Sequence, residues 1–144
     1  MAGHDEAVDL FTIGYSGRTL VDFLDDLEDA GVDAVVDVRE LPLSRKRGFS
    51  KTALRGALAE RGIEYVHLRA AGNPYRKLKA DIEHCLSLYR DHLDENPDVV
   101  CELEEALLGR RGALLCAEAE PACCHRSILV DQLRAKRNVR VTHL

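Results

Sequence analysis

Cys116, Glu118, Cys124, His125 and Arg126 are the residues of this chain whose types and spacing could do chemistry. The apolar run Ala113-Leu114-Leu115-Cys116 ends in a thiol, with the acid Glu118 close behind. A short Glu-Pro-Ala turn follows, and Cys123-Cys124-His125-Arg126 then opens an amphipathic helical pattern that runs to Lys136. A thiol, an imidazole and a guanidinium at the mouth of a helix form a setting in which anions bind and thiolates are stabilised. Cys124, beside His125 and Arg126, is the candidate nucleophile or redox thiol. Cys116, eight positions earlier, is its candidate resolving partner. Arg126 is the candidate anion binder, because a first helical turn otherwise favours acids. Cys116, Cys124 and His125 could instead bind a metal, but there is no CxxC pair. A fourth ligand would have to come from Glu118, His67 or Cys123, and no metal is assigned. A purely structural role for both thiols is the third alternative.

Other strand-like runs end in polar residues of the same kind. Leu10-Phe11-Thr12-Ile13 leads into Gly14-Tyr15-Ser16-Gly17-Arg18, a glycine-containing turn whose N–H groups could approach a phosphate or carboxylate. The turn is neither a Walker loop nor the three-glycine dinucleotide fingerprint, so ATP, GTP and NAD have no warrant and no cofactor is indicated. Ala34-Val35-Val36-Asp37-Val38-Arg39 ends in an acid and a base. They could form a salt-bridged pair fixing the next loop, or Arg39 could grip an anion while Asp37 orients it. His67 ends a third run and is either a structural hydrogen-bonder or an acid/base group. Asp37 and Glu118 join Cys124 as candidate catalytic groups. Gly14, Tyr15, Ser16, Arg18, Arg39, Ser44, Arg45, His67, Cys116, His125 and Arg126 are candidate ligand contacts.

The elements that must position these residues alternate along the chain. Strands are expected near 10–13, 34–38, 63–68, 113–116 and 139–144. The first helix carries Leu20, Phe23, Leu24 and Leu27, with Thr19 as its N-cap and Gly31 as its stop. A second, capped by Ser50, carries Leu54 and Leu58 and ends at Gly62. A long helical stretch from about Tyr75 to Leu108 is expected to break at Asn96-Pro97. This β-α-β-α-β-α-α-β-α-β order predicts an α/β fold: one three-layer, doubly wound domain over 1–144 with a mostly parallel five-stranded sheet, residues 1–8 forming a lead-in. The expected strand order is 3-2-1-4-5, with the switch point between the first and fourth strands. All strand ends would then share one edge, and residues a hundred positions apart would meet there.

Composition narrows the function classes. A net charge of −5 argues against a protein that coats nucleic acid over its whole surface. The segment Arg39 to Arg55 is nevertheless basic, with only Glu40 against it, which suits a discrete anionic ligand. The longest stretch free of acids and bases, Leu10 to Gly17, is too short to span a bilayer. With no signal-peptide pattern and an odd number of cysteines, five, a cytoplasmic location without a disulfide framework is expected.

Taken together the motifs resemble the family of the domain of unknown function 488. Thr12-Ile13-Gly14-Tyr15-Ser16 with Arg18 matches its first strand end, and Asp37-Val38-Arg39, Pro42, Ser44-Arg45 and Phe49 match the second. Gly62, Ile63, Tyr65 and Leu68 match the third, and Leu114-Leu115-Cys116, Glu118 and Cys124-His125-Arg126 the last. Ala71-Gly72-Asn73-Pro74 departs from the Leu-Gly-Gly carried by many members. The resemblance implies a Rossmann-like α/β fold and supplies no activity. The residues themselves point to an anion-binding crevice for a small phosphorylated or nucleotide-like ligand, with thiol chemistry secondary and the question of enzyme or binder open. A nucleic-acid module using Arg45-Lys46-Arg47 and a cysteine- or metal-based sensor are the alternatives.

Overall fold

The computed structural model describes residues 7–75, 81–117 and 125–144. Five parallel strands form its centre: β1 (Val8–Gly14), β2 (Ala34–Asp37), β3 (Glu64–His67), β4 (Gly112–Cys116) and β5 (Val139–His143). Between them run α1 (Leu20–Asp29), α2 (Lys51–Glu60), α3 (Ile82–Glu95), α4 (Asp98–Leu107) and α5 (Arg126–Arg134), with a single 3-10 turn at Arg69–Ala71.

The apolar runs are continuous because both faces of the sheet are covered. Phe11, Ile13, Val35, Ala113 and Leu115 pack against Phe23, Leu24 and Leu27 of α1 and Leu54 and Leu58 of α2. The alternate residues Leu10, Val36 and Leu114 face Tyr89 and Leu93 of α3, Leu103 of α4 and Leu129 of α5. The result is the expected three-layer α/β arrangement.

The strands lie in the order β3-β2-β4-β1-β5. The expected 3-2-1-4-5 therefore needs one correction: β4 is inserted between β2 and β1. Periodicity reports how deeply a strand is buried, not which strand lies beside it, and both orders keep β1 and β4 adjacent and interior. The insertion matters for the site. Both neighbours of β4 lead into helices on one face, α1 and α2, whereas α5, the helix that follows β4 in sequence, packs on the other face. The switch point thus flanks β4 on both sides.

Local chemistry sets the element ends. Thr19 accepts the Asp22 N–H and caps α1 as expected. Ser50 occupies the N-cap position of α2, but its hydroxyl bonds Ser44 instead, accepting from the Ser44 N–H and donating to the Ser44 carbonyl. The long helical stretch breaks between Glu95 and Asp98, around Asn96-Pro97. Gly72 is required by close approach: a Cβ there would lie 2.3 Å from the Glu40 Cα, so the loops after β2 and β3 touch through backbone. No helix among the described residues is long and apolar enough to cross a membrane.

Candidate functional site

The parallel register brings the polar strand ends into line. Gly14 pairs with Cys116, Leu115 with Asp37, and Asp37 with His67, so four sequence-distant candidates share the C-terminal edge of the sheet. Asp37 is fully buried and Arg39 almost so. The Arg39 guanidinium donates a two-pronged fork to this carboxylate, Nε to Oδ1 at 2.8 Å and Nη2 to Oδ2 at 2.7 Å. Its Nη1 donates to the Phe49 carbonyl at 2.7 Å, and the Tyr65 hydroxyl donates to Asp37 Oδ2. The Arg39 backbone N–H completes the set on Oδ1. Of the two readings of Asp37 and Arg39, the geometry is that of the salt-bridged pair.

The electrostatics agree. Burial alone would lower the Arg39 pKa, but the hydrogen bonds and charge of Asp37 outweigh it and leave it raised. The Tyr65 phenol is pushed up by burial first and then by its hydrogen bond to the Asp37 carboxylate. His67 donates from Nε2 to the Arg39 carbonyl at 2.9 Å, since a carbonyl can only accept.

The first loop is held as firmly. The Ser16 N–H donates to the Ala117 carbonyl at 2.9 Å, while the Tyr15 carbonyl accepts from the Arg18 N–H and from Lys46 Nζ. The Tyr15 ring stacks on Phe49 at 4.6 Å, with the Arg39 guanidinium 5.5 Å from its centroid. Arg18 donates to Asp26 and to the Leu144 carbonyl. Arg18, Arg39 and Lys46 thus brace the loops that follow β1 and β2. Ser44 is part of the Ser44–Ser50 turn, its Oγ accepting from the Lys46 N–H, and Arg45 and Arg47 are exposed.

A second cluster lies where β4 ends and α5 begins. His125 is the N-cap residue of α5 and is buried, and Arg126, the first helical residue, is 1% exposed. His125 Nε2 lies 2.7 Å from the Val38 carbonyl and His125 Nδ1 lies 3.8 Å from Cys116 Sγ. The Tyr89 ring meets the imidazole edge-on at 5.1 Å, and its hydroxyl donates to the Ala71 carbonyl at 2.6 Å. The candidates Glu118 and Cys124, and with them Cys123, lie outside the described residues.

Two participants escaped the reading of the sequence as site residues, Tyr65 and Tyr89, and Lys46 was read only as part of the basic Arg45-Lys46-Arg47 loop. Tyr65 was legible as an inward position of an alternating strand. Tyr89 offered no signal, because its target is a backbone carbonyl brought near by the fold; Lys46 was legible as a cation, but its Tyr15 carbonyl partner was not. A separate cavity of about 60 Å³ sits at the opposite edge, between Leu107, Leu133 and Val139. Apart from Asp9 and the Glu104–Arg137 ion pair its lining is apolar, and it lies away from the polar strand ends.

The family model for DUF488, described as a domain of unknown function, matches residues 19–133. The chain belongs to the DUF488 family. Neither a curated protein nor a solved structure is matched by it. In this DUF488 member the matched span holds Asp37, Arg39, Tyr65, His67, Cys116, His125 and Arg126, and the Gly14–Arg18 turn precedes it.

Proposed function

We propose that the C-terminal edge around β4 is a crevice for a small phosphorylated or nucleotide-like anion. The observation that carries this reading is the register: Gly14, Cys116, Asp37 and His67 end their strands side by side at the switch point, where open α/β sheets receive ligands. The sign of the ligand follows from α5, whose N-terminus opens at this edge with Arg126 in its first turn. Asp37 and Arg39 act here as a positioning pair rather than as acid, base or anion grip. Their hydrogen bonds are committed to one another, to Phe49 and to Tyr65, and they fix the second loop against the first.

Calorimetric titration with inorganic phosphate, pyrophosphate and a nucleoside monophosphate tests the reading. Binding of at least one is expected, weakened about tenfold or more in Arg126→Gln, as for loss of a hydrogen bond from a charged group. No heat with any of the three probes on the wild-type chain would overturn it. The exposed Arg45 and Arg47 favour one second reading, contact with nucleic-acid phosphates. That reading predicts binding that is steeply salt-dependent and lost in the Arg45→Gln, Arg47→Gln double variant.

A further inference from the structure

The hydrogen bond at the far side of the His125 ring fixes what the ring can do for Cys116. The Val38 carbonyl, 2.7 Å from Nε2, has no proton to give, so Nε2 carries the hydrogen in either charge state of the ring. In the neutral ring the lone pair then sits on Nδ1, the atom 3.8 Å from Cys116 Sγ. A thiol facing an imidazole lone pair, with the ring oriented by a third group, is the arrangement that activates a nucleophilic cysteine. Cys116 and His125 are nine positions apart, and both lie on the crevice edge, at the end of β4 and the start of α5.

We infer that Cys116 is the nucleophile of the crevice and His125 its base, acting on an electrophilic centre carried by the anionic ligand; this rests on the crevice reading above. Cys116 Sγ–H passes its proton to Nδ1, leaving a thiolate beside an imidazolium whose Nε2–H stays on the Val38 carbonyl. The thiolate pair forms the bond to the electrophile, the bond to the leaving group breaks with its electron pair, and that group takes the proton back from Nδ1. Charges around the pair support the thiolate. The α5 N-terminus contributes positive potential, and Arg126 follows His125 directly. On the β2 side Asp37 is neutralised by Arg39, and on the α3 side the Tyr89 ring packs nearly perpendicular to the imidazole.

The test reads the thiolate itself, because Cys116 is 4% exposed and a labelling rate would also report access. Thiolate ultraviolet absorbance is followed against pH in the wild type and in Cys116→Ser, and the difference gives the Cys116 titration. A midpoint at least one unit below the ordinary thiol value of about 8.5 is expected, returning towards it in His125→Gln. A Cys116 midpoint at or above that value overturns the inference. Nitrogen NMR of histidine-labelled wild-type protein gives an independent reading that needs no His125 variant. At neutral pH His125 should be protonated on both nitrogens in the wild type and neutral in Cys116→Ser, and a neutral ring in both contradicts the dyad. Phosphate binding is measured on Cys116→Ser in parallel. Binding retained without a low thiolate midpoint sinks the dyad alone, whereas a low midpoint with no binding of any anion sinks the crevice.

Discussion

At the scale of single residues, the Asp37 carboxylate holds the second loop together. It is buried and receives the Arg39 fork, the Arg39 N–H and the Tyr65 hydroxyl. A buried pair of this kind adds little net stability, but removing one partner strands a charge and costs about 3–5 kcal/mol. Asp37→Asn should therefore destabilise the protein by that amount in urea unfolding, and Tyr65→Phe by about 1.5–3 kcal/mol. The Tyr65 pKa is raised in the fold, so its contribution is fully present below the unfolded tyrosine value of about 10 and is lost as pH rises beyond it. The stability gap between wild type and Tyr65→Phe should narrow above that pH; a constant gap would show that the phenol does not titrate with folding. The acid and the base after the second apolar run were legible as a feature of interest. Whether they grip a ligand or each other was not. That is decided by the Phe49 carbonyl and the Tyr65 hydroxyl, ten and 28 positions away from their respective partners.

At the scale of elements, glycines separate a loop contact from an idle helix position. Gly72→Ala would place a Cβ 2.3 Å from the Glu40 Cα and 2.5 Å from its backbone nitrogen, which neither loop can avoid by turning a side chain. It should cost about 1–3 kcal/mol. Gly56 is exposed within α2 and a Cβ there meets nothing within 4 Å, so Gly56→Ala should raise stability by about 0.5–1 kcal/mol. Unfolding midpoints for the two variants should move in opposite directions, and a shift of the same sign would refute the assignment of either glycine. Strand and helix identities were legible because both sheet faces are apolar and Thr19 caps α1 through its side chain, whereas the Ser50 hydroxyl turns to Ser44. Lateral order was less so. Gly112-Ala113-Leu114-Leu115-Cys116 reads as deeply buried, but nothing in it states that β2, rather than another strand, lies on its far side.

At the scale of the whole molecule, an acidic protein brings Gly14, Asp37, His67 and Cys116 to one edge of a parallel sheet, and a largely apolar cavity lies at the other. The insertion of β4 between β2 and β1 sets the end of β4 between the loops that follow β1 and β2. The Asp37–Arg39 pair and Lys46 lock these two loops, and Cys116 at the end of β4 meets His125 at the start of α5. The convergence of strand ends was foreseeable from alternation alone, because parallel strands put all their C-termini on one side. The division of labour within it was not, since it depends on which donors reach which carbonyls. The most direct test is backbone NMR of the isotope-labelled chain titrated with inorganic phosphate and with a nucleoside monophosphate. Shifts centred on Tyr15–Ser16, Val38–Arg39, Cys116–Ala117 and His125–Arg126 are predicted, with Leu108 and Val139 unmoved. Shifts confined to Arg45 and Arg47, or to the cavity at the opposite edge, would contradict the crevice around β4.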